Sequence, residues 1–466
     1  MRRISVLVVV VLLGMAFALL SRDPQTDPRL KRAARSAERN GWILVHLEGT
    51  PAEIGFQHGY LLAPEIRDSH KTISTELLHD EKKNWEFFRR AAREVFWPHV
   101  EEEYRQELEG IVEGLKARNV RLDLWDIVAL NAALEFPYYD KWLDQSQGGT
   151  VTGSAPERCS AFVATGSYTR DGRVVIGHNN WSSYADGERW NIIFDIAPAK
   201  GQHLLMDGMA GLIHSGDDFG LNAAGMIITE TTISKFIGFD PNGVPEFMRA
   251  RKAMQYAESI DDFARIMKDG NNGGYANDWL VADRKNNEIA SLELGLKNVT
   301  LERTRDGFFV SANFPINKKL AAEETPGYDF ADQSFSNNAR HARWLTLMEE
   351  NKGRIDLAAA QRFVGDHFDT FQNKEEPDER TLCGHIDLSS RGSQPWQPPY
   401  GIAGTVQAKA TDAAGAEKMT LAASLGHSCG IHFKAAEHLK KHPEFAWQKD
   451  ILRDMPSRPW TQFAAR

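Results

Sequence analysis

The stretch Arg158-Cys159-Ser160-Ala161-Phe162 carries one of only three cysteines in the chain. A polar segment, Gln145-Ser-Gln-Gly-Gly-Thr-Val-Thr-Gly153, runs up to it, and Cys159-Ser-Ala-Phe-Val-Ala-Thr165 then alternates like a half-buried strand. A thiolate is a strong nucleophile, but a free thiol is mostly protonated at neutral pH and needs a base. If the Arg158–Cys159 bond were cut, Cys159 would own a free α-amine, whose reference pKa is about 7.7–8.0. One residue would then supply nucleophile and base together. Downstream, Asp171-Gly172 is a hairpin signal. Pairing outward from it sets Cys159 opposite roughly residues 182–184, so His178-Asn179-Asn180-Trp181 finishes beside the thiol.

Several motifs share this order along the chain. Gly49-Thr-Pro-Ala-Glu-Ile-Gly-Phe-Gln-His-Gly59 comes first, then Cys159-Ser-Ala-Phe162 with Gly177-His-Asn-Asn-Trp181. Ser215-Gly-Asp-Asp-Phe219, Thr229-Glu-Thr-Thr-Ile233, Asn277-Asp-Trp279 and Asn338-Ala-Arg-His-Ala-Arg343 follow. Together they resemble the N-terminal nucleophile hydrolases, and among these two neighbouring groups: the phospholipase B-like proteins and the acyl-coenzyme A:6-aminopenicillanic acid acyltransferase-like family. The resemblance implies an α+β fold, a four-layer αββα sandwich with a helical N-terminal part. It also implies that Cys159 is processing site and nucleophile, with Arg158 as the residue cut away. His178 and Asn180 would line the pocket, with Trp181 as a wall, and Thr231 would face the same site. Asn277 would donate its amide to an oxyanion, and Arg340 would orient the Cys159 amine or the substrate, with Arg343 as the alternative. Two positions depart from the pattern. Asn180 stands near where the acyltransferase-like enzymes usually carry Asp, which leans the chain towards the phospholipase B-like side. Arg158 replaces a residue that is commonly small.

These residues need elements to position them. Thr50 and Glu53 form a capping box with Pro51 at the first helical position, predicting a helix to about Ile66. Residues 81–118 read as amphipathic helices and 123–136 as a mostly buried one. Short strands are expected at 42–47, 159–165, 174–178, 191–196, 211–215 and 224–232. A helical stretch spans 245–268, a hairpin joins 279–283 to 288–294, helices return at 338–350 and 357–365, and strands at 403–408 and 418–425. Strands in runs and helices in runs favour α+β layers over an alternating parallel sheet. Four regions follow: a leader at 1–20, a helical part at 21–144, a processing linker at 145–158, and a catalytic part at 159–466.

With 466 residues, 42% of them apolar and 26% charged, the chain can bury a large core. A net charge of −9 without a clustered basic footprint argues against nucleic-acid binding. Arg2 and Arg3 precede an apolar run from Ile4 to Leu20 containing Ala16-Phe17-Ala18, the pattern of a signal peptide or an uncleaved anchor. The body is thus expected outside the cytoplasm, periplasmic or secreted, meeting a membrane only through that segment if it is uncleaved. In such a compartment Cys383 and Cys429 could pair, leaving Cys159 as the single thiol. His427-Ser-Cys429-Gly-Ile-His432 and His438-x-x-x-His442 offer metal-ligand types, but no acidic base sits inside the second pair, and neither metal nor cofactor is expected. Asp217-Asp218 reads as turn chemistry. The expected partners are a small acyl amide or ester and the chain's own cleaved N-terminal part. A catalytically silent, unprocessed binding or envelope protein is the alternative.

Overall fold

The computed structural model describes residues 27–148, 159–216, 219–392 and 398–466. The leader at 1–20, residues 149–158 of the linker including Arg158, and the Asp217-Asp218 turn lie outside the described residues.

The N-terminal part contributes β1 (Ala34–Arg35) and β2 (Ile43–Gly49). After Cys159 come β3 (Ser160–Thr165), β4 (Val175–Ser183), β5 (Ile192–Pro198), β6 (Leu204–Gly208), β7 (Gly220–Asn222) and β8 (Met226–Thr232). Then follow β9 (Asn277–Asp283), β10 (Glu288–Leu294), β11 (Val299–Thr304) and β12 (Gly307–Ser311). A small hairpin of β13 (Phe368–Asp369) and β14 (Lys374–Glu375) precedes β15 (Ala403–Asp412), β16 (Thr420–Leu425) and β17 (Thr461–Ala464). Nine strands form one sheet in the order β1-β2-β5-β6-β7-β8-β9-β10-β11, and six form the other in the order β12-β3-β4-β15-β16-β17.

The two sheets face each other across a core of Val163, Ile176, Leu205, Ile227, Leu280 and Leu421, all buried. Each such side chain contributes roughly 1.5–3 kcal/mol when fully buried. Helices cover both outer faces. Those of residues 51–146, with Glu246–Tyr256 and Ile260–Lys268, pack on the nine-stranded sheet. Ser336–Glu350 and Leu357–Phe363 pack on the six-stranded one. This is the expected four-layer αββα sandwich.

The N-terminal part is woven into these layers. β2 runs parallel to β5, with Ile43 opposite Ile192, so residues from both sides of the linker share one sheet. The helix Pro51–Leu61 carries the expected capping box on Thr50 and Glu53. Its Gly55 and Gly59 meet Gly110 and Gly114 of the helix Glu102–Ala117 backbone to backbone. A Cβ added at Gly55 would lie 1.9 Å from the Glu107 carbonyl oxygen, and one at Gly59 would lie 2.0 Å from that of Ile111. The sequence motif at 49–59 is therefore a helix-crossing device.

One expected strand is absent. Residues 211–215 form a loop, because side chains from the N-terminal helices take up its backbone groups instead of a ladder. The Gly211 N–H donates to His58 Nε2 at 2.9 Å, and burial holds His58 down to about 3, leaving it a neutral acceptor. Asn131 accepts from the Ile213 N–H at 2.8 Å and donates to the Gly211 carbonyl at 2.9 Å.

Candidate active site

Cys159 immediately precedes β3 and is 1% exposed. Its φ is 99°, a left-handed value that costs a non-glycine residue about 1–3 kcal/mol. Ser160 pairs with Asn179 and Ala164 with Val175, which sets Cys159 across from Asn180 and not from residues 182–184. The shift arises in the connection, where Gly166–Tyr168 coil into a 3-10 turn before Asp171-Gly172 is reached. The Cys159 thiol lies 3.7 Å from Asn180 Oδ1 and donates to it. Asn180 Nδ2 is buried without a hydrogen-bond partner among the described residues.

Arg340 holds the other side of the cysteine. Its Nη1 donates to the Cys159 carbonyl at 2.6 Å and to Ser160 Oγ at 2.9 Å. Nη2 reaches Asn313 Oδ1 at 3.1 Å and Asn337 Oδ1 at 3.3 Å, and Nε reaches Ser336 Oγ at 3.0 Å. The whole guanidinium fork is thus engaged in buried surroundings. Arg343, one turn on, points elsewhere and pairs with Asp366 at 2.6 Å. Of the two arginines, Arg340 is the one at the cysteine.

Trp181 is not on the wall expected for it. Strand alternation separates it from Asn180. Its indole N–H donates to the Leu382 carbonyl at 3.1 Å, and its ring lies 4.3 Å beneath the Arg340 guanidinium. It supports the arginine from behind. Asn179, on that same outer face, donates to the Val364 and Leu382 carbonyls at 2.6 and 2.7 Å.

From Arg340 a hydrogen-bonded chain crosses to the nine-stranded sheet. Asn313 donates through Nδ2 to the Thr232 carbonyl at 2.8 Å, and its N–H reaches Thr231 Oγ1 at 3.4 Å. Thr231 Oγ1 also lies 2.5 Å from Ser311 Oγ, on the residue that pairs with Ala161. Thr231 therefore sits at the cysteine end of both sheets. In register with Thr232 stands Asn277, the first residue of β9. Neither Nδ2 nor Oδ1 of its buried amide has a hydrogen-bond partner among the described residues. A buried amide left wholly without a partner costs about 1–3 kcal/mol, so these groups are open to a water or a substrate atom.

His178 follows Ile176 on the inter-sheet face, paired with Ala161, and its ring stacks on Phe219 at 6.3 Å. Beside it Lys409, opposite it in β15, forms a fully buried ion pair with Asp207 at 3.1 Å across the sheets. Asp207 also accepts from Ser215 Oγ at 3.0 Å. This places the polar group of the 215–219 motif between the layers. His178 thus shares the face of Cys159 and Asn180, one alternate position along from Asn180.

Sequence reasoning missed Ser311, Asn313, Ser336 and Asp278. Asp278 accepts from Ser291 Oγ at 2.6 Å, and burial pushes its carboxyl up to about 6. One signal was present: polar residues inside otherwise apolar strands, as in Val310-Ser311-Ala312-Asn313, are costly unless engaged. The ligand types near the C-terminus do not converge as spaced. His427 Nε2 lies 3.0 Å from the Tyr184 hydroxyl, His432 accepts from the Ser457 N–H, and His438 faces the Tyr400 carbonyl. Cys383 and Cys429 are free thiols.

The family model described as Phospholipase B matches residues 52–458. Human phospholipase B-like 1 is 22% identical over 392 residues, covering 73% of this chain and 69% of that protein. An uncharacterized protein of Archaeoglobus fulgidus is 25% identical over 269 residues, covering 53% of this chain and 42% of its own length. The alignment thus spans less than half of the archaeal relative. Among solved structures, a variant of the conjugated bile acid hydrolase from Clostridium perfringens matches 59% of this chain and 83% of that one. Its sequence identity is 11% and its TM-score 0.30.

Proposed function

The chain belongs to the phospholipase B family, and from that premise we propose that it is a self-processing cysteine hydrolase or acyltransferase acting on acyl amides or esters. The observation that carries this reading is the setting of Cys159: a strained residue just before a buried strand, its carbonyl in the Arg340 fork and its thiol on Asn180, whose Nδ2 has no hydrogen-bond partner among the described residues.

In processing, the Cys159 sulfur attacks the carbonyl carbon of Arg158. The C–N bond breaks, an Arg158–Sγ thioester forms, and the former amide nitrogen takes up the thiol proton. Water then hydrolyses the thioester to the Arg158 carboxylate and the free thiol, which stands beside the α-amine already released. Arg340 grips the Cys159 carbonyl, which is on the side of the cut that stays, so the new N-terminus keeps its place. The amine, with a reference pKa of about 7.7–8.0, takes the thiol proton that Asn180 can only accept as a hydrogen bond.

The thiolate attacks the substrate carbonyl and the oxyanion falls to the Asn277 amide. The ammonium returns its proton to the leaving amine or alcohol, and water or an acceptor amine releases the acyl group from sulfur. After the cut, residues 27–148 are held by the β2–β5 pairing, the His58 and Asn131 contacts, and the buried Glu107–Arg251 ion pair at 3.1 Å. The chain then works outside the cytoplasm as two associated pieces.

Intact mass on a denaturing gel tests the reading, together with a panel of N-acyl amino acids, N-acylethanolamines, β-lactams and phospholipids. Two fragments meeting at Arg158/Cys159, and acyl release that Cys159→Ala abolishes, are expected. An active protein that stays full length and tolerates Cys159→Ala sinks it. The near-complete burial of Cys159 favours a second reading, a silent binding protein of the same fold. Stoichiometric labelling of Cys159 by an acyl-mimicking electrophile would reject that one.

A further inference from the structure

Three loops converge behind β4, on the side away from the Cys159 thiol. His367 lies shortly after the helix Leu357–Phe363, Cys383-Gly384-His385 precedes the short 3-10 turn Ile386–Leu388, and Cys429 follows β16. Their ligand atoms all lie within 4.8 Å of one another. His385 Nε2 is at the centre, 3.2 Å from His367 Nε2, 3.7 Å from Cys383 Sγ and 3.5 Å from Cys429 Sγ.

Hydrogen bonding does not account for this arrangement. One imidazole nitrogen has either one proton or one lone pair, and so serves one of the three contacts. A tetrahedral metal accounts for all of them. With Zn–S near 2.3 Å and Zn–N near 2.0–2.1 Å, neighbouring ligand atoms fall roughly 3.3 Å apart for N–N and roughly 3.6 Å apart for N–S. The three separations about His385 match that spacing. Two sulfurs and two imidazoles also form a set that selects zinc over hard cations. The second nitrogen of His385, Nδ1, is buried 3.9 Å from Asp387 Oδ1, beyond hydrogen-bond reach and without a partner among the described residues.

We propose that His367, Cys383, His385 and Cys429 form a closed structural site for a thiolate-seeking divalent ion, Zn2+. Binding replaces the two thiol protons, which pass to water, and ties loops of little regular structure into one body. The site also braces β4. Gly384, between two ligands, lies so flat on Trp181 that an added Cβ would stand 2.0 Å from the indole. Leu382 accepts hydrogen bonds from both Trp181 and Asn179. The metal would thus hold the support beneath Arg340, independently of whether Cys159 is a nucleophile.

The test is elemental analysis of the full chain, expressed with zinc and desalted, beside peptide mapping of its thiols. About one zinc per chain is expected, falling to background in the Cys383→Ser/Cys429→Ser double variant and in His385→Ala. Should these fail to fold, the wild type decides. Chelator-stripped protein reloaded with Co2+ should show the strong visible bands and the thiolate charge transfer of a tetrahedral two-sulfur site, and its melting temperature should recover. Background zinc in the wild type overturns the proposal, whether the thiols are found free or joined as a Cys383–Cys429 disulfide. So does zinc content that the double variant leaves unchanged.

Discussion

The three cysteines occupy two opposed settings on either side of β4. Cys159 stands on the inter-sheet face, its thiol offered to an amide oxygen and its carbonyl clamped by Arg340. Cys383 and Cys429 stand together on the outer side, both within reach of His385. The difference lies in which atom the protein restrains. At Cys159 the backbone is fixed and the sulfur meets only an amide oxygen, a setting that suits the proposed nucleophile. In the outer cluster the sulfurs themselves are brought into register with two imidazoles, as a ligand set requires. Residue type is the same; the neighbours divide the roles.

The largest expected effect separates the two kinds of thiol. Cys159→Ala should lower acyl release by about 10^4-fold or more and leave the chain uncut. Cys383→Ser should lower the unfolding midpoint, since a structural metal carries folding energy, and should reduce cleavage and electrophile labelling at Cys159 far less than Cys159→Ala does. Turnover assays and thermal melts on the two variants check both. If both variants lose turnover alike with unchanged melts, the division fails.

A second contrast sets an amide without a partner among the described residues against one that is fully used. Asn277→Ala should lower kcat by about 10^2–10^3-fold, or about 2.7–4 kcal/mol of barrier. Its stability should hold or rise, because the orphaned amide is removed with it. Asn179→Ala should do the reverse. The Val364 and Leu382 carbonyls lose a donor, costing about 1–3 kcal/mol of stability, with turnover per folded molecule nearly unchanged. Steady-state kinetics and denaturant titration of the pair decide it; an Asn277 variant that only unfolds more easily would make that residue structural.

This contrast also marks where sequence reasoning stopped. The layers, the capping box, the β9–β10 hairpin and the polar end of β4 were legible, because period, caps and turn residues are local. Cys159, Asn180, Arg340 and Asn277 were named from motif order. The register of β4 was not legible, because a 3-10 turn at Gly166–Tyr168 intervenes in the connection. Strand alternation, which holds in any register, turns Trp181 away from Asn180 and makes it the support of Arg340 instead of a pocket wall. Asn313 and Ser311 were passed over because their role exists only where two sheets meet. The outer cluster was hidden for the same reason: its ligands come from three loops, and the local spacing around Cys429 pointed to His427 and His432 instead of His367 and His385.

The smallest effect concerns a carboxyl buried near the same sheet ends. Asp278 pairs in register with Thr231, and burial raises its pKa from 3.8 to about 6, against the opposing hydrogen bonds of Ser291 and Ser311. The folded chain therefore keeps this proton after the unfolded chain has lost it. Between about pH 4 and pH 6 the folded state binds more protons, so this group's contribution falls as pH rises through that window and stays low above it. A rise of this size corresponds to about 3 kcal/mol at most. Asp278→Asn removes the titration and should stabilise the protein by about 1–2 kcal/mol at pH 7 and hardly at all at pH 4. Denaturant midpoints at the two pH values measure it. An equal change at both would mean that packing against Ser291, not the cost of a buried charge, governs this position. The carboxyl would then have no electrostatic part in the contrast between restrained and waiting groups at this end of the sheets.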